Sequence, residues 1–319
     1  MTSNAAEFQF SDYHPQPADM LSEIITGMQQ QPRTLAAKFF YDETGSKLFD
    51  QICQTEEYYP TRTETKIIRD NIDEIGACLG SGCLLVEPGS GNSRKVRELL
   101  DAIQPHAYLP MDISRGYLKK EAQKLYHEYP WLQVHAICTD YTNPVNIPGY
   151  ARHIHRVAFF PGSSIGNFEP SEAVVFLKNI RDMVGASGGL LIGVDLKKPL
   201  QRLVSAYNDP EGLTAAFNLN ILTRINREID ADFDVDKFEH AAFYNINLGR
   251  IEMHLISREA QTVRIGRHKF DFQRYQNIHT ENSYKYTVEE MQHLGRQAGF
   301  APQKVWTDRE RLFSLHYFC

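Results

Sequence analysis

Leu84-Leu85-Val86-Glu87-Pro88-Gly89-Ser90-Gly91, followed by Asn92-Ser93-Arg94-Lys95-Val96-Arg97-Glu98-Leu99-Leu100-Asp101-Ala102-Ile103, reads as strand, glycine turn and helix. The first four residues form a short apolar run closed by an acid, and Val96, Leu99, Leu100 and Ile103 recur at the spacing of one helical face. The scheme repeats outward. Tyr108 to Ile113 is a strand ending in Asp112, with Ser114 as N-cap of a helix toward Tyr129. Trp131 to Cys138 ends at Thr139-Asp140-Tyr141, and Val157 to Phe160 ends at Pro161-Gly162-Ser163-Ser164-Ile165-Gly166-Asn167. A helix opening at Pro170-Ser171-Glu172 leads to a fifth strand, Leu190 to Leu196. Short apolar strands alternating with helices predict an α/β fold whose parallel sheet is buried on both faces, with ligands at the carboxyl ends of the strands.

The alternation stops after Leu196. A helical region, Leu203 to Ile229, precedes Ile251 to Ile256 and Thr262 to Ile265, which read as antiparallel strands with one wet face. Thr287-x-x-Glu290 is a capping box for a helix to Gln297, and a terminal hairpin follows. Before the sheet, the stretch to Gln31 contains Pro15 and Pro17, and its early part reads as a loosely ordered arm. A length of 319 residues fits about two domains at roughly 150 residues each. They are expected at 61–196 with 287–319, and at 12–60 with 197–286.

Composition narrows the function. Apolar residues make up 42% and charged residues 23%, which excludes disordered and fibrous classes. The net charge of −6, with no dense Lys/Arg run, argues against a nucleic-acid partner. No stretch approaches the roughly 18 consecutive apolar residues of a membrane span. Met1 to Met20 lacks Lys and Arg, unlike a signal peptide, so a cytoplasmic protein is expected. The five cysteines form no C-x-x-C pair, and the twelve histidines show no pair on a helical face with a carboxylate third ligand, so no metal is expected. His153 and His155 read as a solvated lead-in to the fourth strand.

Three successive strands end in Glu87, Asp112 and Asp140. Carboxylates collected on one sheet edge are costly unless a ligand with hydroxyl and amino groups uses them. A nucleoside suits them: Asp112 for a ribose diol, Asp140 for an exocyclic amine, Tyr141 as an aromatic surface. Gly89 and Gly91 let the backbone approach that ligand. Glu87 inside the turn repels a pyrophosphate and suits an ammonium group, which favours S-adenosylmethionine; a dinucleotide stays open at this point.

The sequence resembles the L-histidine Nα-methyltransferases of ergothioneine biosynthesis. The resemblance runs from about Leu35 to the C-terminus, through Lys38-Phe39-Phe40-Tyr41-Asp42-Glu43-Thr44-Gly45-Ser46, Glu57-Tyr58-Tyr59-Pro60-Thr61-Arg62, Glu87-Pro88-Gly89-Ser90-Gly91, Ser164-Ile165-Gly166-Asn167, Gly193-Val194-Asp195-Leu196, Ala215-Ala216-Phe217-Asn218, Ile251-Glu252-Met253 and Thr280-Glu281-Asn282-Ser283. It implies a class I Rossmann-like methyltransferase domain and an α+β second domain, split in sequence, that closes over the amino acid. It implies S-adenosylmethionine as methyl donor, held at Gly89, Lys95, Asp112, Asp140 and Tyr141. It implies L-histidine held at Tyr58, Asn167, Tyr207, Glu281 and Ser283, with Tyr41, Phe49, Gly162 and Met253 lining the same pocket, and it favours a monomer. On this pattern Asn167 orients the α-amine, Tyr41 stands by as a proton relay, and three transfers give the trimethyl betaine. The same chemistry on another amino acid or small amine, and a family member without turnover, are the alternatives.

Overall fold

The strand Leu84–Pro88 is buried along its whole length and pairs in parallel with Ala107–Asp112 on one side and Arg156–Phe160 on the other. The chain reverses its direction of sheet growth between these neighbours. The carboxyl ends of Leu84–Pro88 and Arg156–Phe160 therefore flank the switch point of a doubly wound sheet, the place where such sheets bind ligands.

The computed structural model describes residues 7–13, 17–145, 147, 150 and 154–319. These divide into two compact units. One holds the described residues within Met1–His14, Pro60–Lys197 and Lys285–Cys319, the other those within Pro15–Tyr59 and Lys198–Tyr284. His153 lies outside the described residues.

The first unit is built on an eight-stranded sheet. Its order is Phe8–Asp12, Gln133–Cys138, Ala107–Asp112, Leu84–Pro88, Arg156–Phe160, Gly189–Asp195, Phe313–Phe318 and Pro302–Thr307. The first six are parallel, and the last two form the C-terminal hairpin, joined antiparallel to Gly189–Asp195. Helices cover the sheet because their apolar residues share one face: in Arg94–Ile103, Val96, Leu99, Leu100 and Ile103 are all buried. Capping boxes start Pro170–Val184, through Glu169 and Glu172, and Val288–Gln297, through Thr287 and Glu290.

Two readings of this unit need correction. The N-terminal segment is not wholly a loose arm, because Phe8–Asp12 is the edge strand of the large sheet, in register with Val134–Cys138. Phe8 and Phe10, two residues apart, fall on one side of the strand and pack against the core, while the prolines come after it. Ser114 stands at the N-cap of Arg115–Glu128, but its side chain caps nothing; Asp112 Oδ1 instead accepts from Ser114 N at 2.9 Å.

The second unit has a four-stranded sheet in the order Arg33–Thr34, Asn277–Tyr284, Arg250–Ser257, Phe238–Asn245. The helix Leu213–Ile229 buries Phe217, Asn218, Ile221, Leu222 and Ile225. Asn218 Nδ2 donates to the carbonyl of His254 (3.0 Å), and Thr280 Oγ1 donates to Asn218 Oδ1 (2.8 Å), which fastens helix to sheet. The strand Arg250–Ser257 is therefore buried on both sides rather than wet on one. Gln261–Ile265 does alternate as expected, pairing with His268–Phe272.

Candidate active site

At the switch point, Gly89 and Gly91 adopt φ of 68° and 50°, left-handed values that glycine takes without strain. The turn is pinned to the next strand, since Gly89 N and Ser90 N donate to the carbonyl of Met111 at 2.8 and 3.0 Å. A Cβ on Gly89 would sit 3.0 Å from the hydroxyl of Tyr141, so the missing side chain is what lets Tyr141 close over the turn. Asp112 accepts from Gly91 N (3.1 Å) and Ser114 N, and burial raises its pKa against those two bonds. Asp140 is buried and accepts from Thr142 N and Oγ1 at 3.1 and 2.5 Å. The Tyr141 ring leans on Phe160 and Phe176.

Glu87 lies beneath the turn, fully buried, and accepts a short hydrogen bond from Tyr108, whose hydroxyl also reaches Ser93 Oγ at 3.1 Å. Burial raises its pKa to about 8, opposed by the Tyr108 bond and the charge of Lys95. Lys95 Nζ is 2.5 Å from a carboxylate oxygen of Glu64. The loop after Arg156–Phe160 begins with Gly162 at φ 85°, whose N–H donates to the same Glu64 at 2.9 Å. It ends in a tight turn, Ser164–Asn167. Asn167 is half-buried, and among the described residues its side-chain amide has no hydrogen-bond partner.

In the second unit, Tyr41, Phe49, Tyr58 and Tyr207 form a chain of edge-on rings, with centroids 5.9, 5.9 and 6.3 Å apart. Phe217 closes against Tyr41 and Phe49. Tyr207 donates its hydroxyl proton to Ser283 Oγ at 2.7 Å. A bulge after His279 brings Glu281 opposite Met253, so these two and Ser283 share one face of the sheet. Burial raises the Tyr58 pKa well above its ordinary value, and the nearby Tyr207, Cys53, Tyr41 and Glu281 push it further. All seven candidates of this unit thus gather in one aromatic nest with a carboxylate and hydroxyls on its wall.

The chain from residue 20 to 319 matches the family described as histidine-specific, S-adenosylmethionine-dependent methyltransferases. The chain belongs to that family. It is 41% identical over 300 residues to a histidine N-alpha-methyltransferase of Mycolicibacterium smegmatis and 39% identical to one of Mycobacterium tuberculosis, in each case over 92% of both chains. It is also 32% identical to ergothioneine biosynthesis protein 1 of Neurospora crassa, over 86% of this chain and 32% of that one.

The sheet unit fits the methyl donor of a histidine-specific methyltransferase. Its glycine turn leaves the cradle that a Cβ would fill, and the Ser90 hydroxyl there is buried without a partner among the described residues. Asp112 and Asp140 offer carboxylate oxygens suited to hydroxyl and amino groups.

Sequence reasoning missed several residues of this methyltransferase. Glu64 lies on the stripe of Tyr59–Asp70 that also carries the buried Ile67 and Ile68, and an acid at i, i+3, i+4 with two isoleucines was the available signal. His240 Nε2 donates to the carbonyl of Tyr207 while its Nδ1 accepts from Asn218, both at 2.9 Å. A cross-strand group, Glu252, His254 and His279, carries no helical-face signature, yet its ligand-type atoms lie within 4.8 Å of one another. Arg250 already pairs with Glu252 at 2.7 Å. The His254 and His279 rings stack at 25°, so their nitrogen lone pairs lie in near-parallel planes, a poor approach to one ion. Burial lowers both imidazole pKa values, and the group reads as a neutral-histidine network around an ion pair.

Proposed function

We propose that the protein transfers methyl groups from S-adenosylmethionine to the α-amine of L-histidine, three times, to give the trimethyl betaine used in ergothioneine biosynthesis. The observation that carries this reading is the nest of Tyr58, Tyr207, Glu281 and Ser283, buried or half-buried polar groups set in aromatic walls. A polar nest of this kind rejects apolar amino acids, because each unpaired group costs about 1–3 kcal/mol.

The sheet unit is read as the donor domain and the second unit as the amino-acid domain. Gly89, Gly91 and Ser90 admit the donor closely, Asp112 takes the ribose hydroxyls, Asp140 the adenine amine and Tyr141 the ring face. Lys95 serves the carboxylate of the donor's amino-acid end and Glu87 its ammonium. When bound, S-adenosylmethionine supplies a methyl carbon made electrophilic by its sulfonium. Glu281 accepts an imidazole N–H, Ser283 adapts to the other nitrogen, and Tyr207 turns its hydroxyl proton from Ser283 to the carboxylate. Asn167, with donors and an acceptor on one amide, orients the amine. Met253 limits the depth of the nest, and Phe49 and Gly162 line the amino acid's surroundings. The α-amine loses its proton because desolvation beside a cation disfavours ammonium, so these residues position and exclude water, with Tyr41 as a proton relay. We read the enzyme as a cytoplasmic monomer acting on small molecules; no helix among the described residues is long and apolar enough to cross a membrane.

Incubation with L-histidine and S-adenosylmethionine, read by product mass, tests this proposal. The trimethyl product is expected. No methylated histidine would refute the substrate, and arrest after one methyl would refute the repeated transfer.

A further inference from the structure

Glu64 is a carboxylate with no exposed surface, set among Lys95, Gly162 and Gly193 from three segments of the sheet unit. One oxygen receives the ammonium of Lys95, at the start of the helix after Leu84–Pro88, at 2.5 Å. The N–H of Gly162, just past Arg156–Phe160, lies 2.9 and 3.1 Å from its two oxygens. Gly193, inside Gly189–Asp195, is bare where Glu64 passes: a Cβ there would fall 1.8 Å from Glu64 Oε1. A buried carboxylate without a cation is costly, and this one is paired and hydrogen-bonded from both sides of the switch point.

The Lys95 side chain retains 15% exposure, and its ammonium has three donor protons, of which the described residues engage one through Glu64. The remaining protons are free for the carboxylate of a bound amino-acid moiety. An unneutralised Lys95 would, however, repel S-adenosylmethionine, which carries one positive charge more than S-adenosylhomocysteine because of its sulfonium. We propose that Glu64 is a positioning residue that aims Lys95 at the cofactor's carboxylate and cancels its charge, so that the site accepts the cationic donor as readily as the neutral product. The inference rests on the reading of Lys95 as a cofactor residue.

Titration calorimetry of both ligands separates this role from a merely structural one. Glu64→Gln removes the negative charge at nearly constant shape and is expected to weaken S-adenosylmethionine about tenfold more than S-adenosylhomocysteine, a difference of about 1.4 kcal/mol. Glu64→Asp keeps the charge and is expected to hold the ratio of the two affinities near the wild-type value while weakening both. Lys95→Met removes the cation, and the buried Glu64 then takes up a proton, so both ligands should weaken with their ratio near the wild-type value. If Glu64→Gln fails to fold, as a melting scan would show, Glu64→Asp decides, because a shortened carboxylate that mis-aims Lys95 weakens both ligands. Parallel weakening of both ligands in Glu64→Gln, or unchanged affinities in Glu64→Asp, would overturn the inference alone, and unchanged affinities in Lys95→Met would overturn the reading of Lys95 and the inference with it. A wild-type protein that binds neither ligand would overturn the cofactor reading and this inference with it.

Discussion

Glu87→Gln offers a quantitative test of how the glycine turn is built. Burial raises the Glu87 pKa from its ordinary 4.5 to about 8, against the Tyr108 hydrogen bond and the Lys95 charge. Between those two values the native protein holds a proton that the unfolded chain has released. Stability from this group is therefore fully present below about pH 4.5, falls as pH rises to about 8, and is flat above. The full span corresponds to about 5 kcal/mol, at about 1.4 kcal/mol for each pH step inside the window. Glutamine keeps an acceptor for Tyr108 and does not titrate. Urea unfolding of both proteins from about pH 5 to about pH 9 should show the wild type losing ground steadily to Glu87→Gln up to about pH 8. Histidines whose pKa burial lowers, such as His316 at about 4, titrate in both proteins and cancel in the difference. Saturating S-adenosylmethionine should shrink the effect, because a cation at Glu87 supports the ionised form. A difference that does not vary with pH would refute the claim that the buried carboxyl holds its proton.

Glu281→Ala should raise the KM for histidine by about tenfold or more, equivalent to about 1.4 kcal/mol or more for a lost charge-assisted bond, with S-adenosylhomocysteine binding unchanged by calorimetry. Gly89→Ala forces a side chain into a left-handed turn and against Tyr141, and should cost about 1–2 kcal/mol in urea unfolding; adding Tyr141→Phe should recover part of that loss, since it removes the hydroxyl 3.0 Å away. His240→Leu leaves the carbonyl of Tyr207 without its donor, and unfolding should show a loss of about 1–3 kcal/mol.

The sheet was legible because its strands are short, apolar on both faces and closed by turn residues, so Glu87, Asp112 and Asp140 could be placed on one edge by counting strands. The edge strand Phe8–Asp12 was not, because five residues with two phenylalanines carry too little periodicity to stand out from a loop. In the second unit, the alternation in Ile251 to Ile256 marked one strand, but the pairing that sets Met253 opposite Glu281 depends on a bulge with no local signature. The strand Phe238–Asn245, half-buried along most of its length, has no clean apolar side and went unread. Tyr58 and Tyr207 came into view through the family resemblance, since a tyrosine beside a helix end looks locally the same whether it packs or binds. Glu64 and His240 contact Lys95 and Tyr207 of the candidate site, so only the folded geometry connects them to it.

The central claim is that the methyl group goes to the α-nitrogen of histidine, and the most direct measurement is where it lands. L-histidine and S-adenosylmethionine carrying an isotopically labelled methyl should give a product whose nuclear magnetic resonance spectrum couples the labelled methyls to the α-carbon, with the imidazole protons unshifted. A labelled methyl coupled to an imidazole carbon, or found on another amino acid in preference to histidine, would contradict the account.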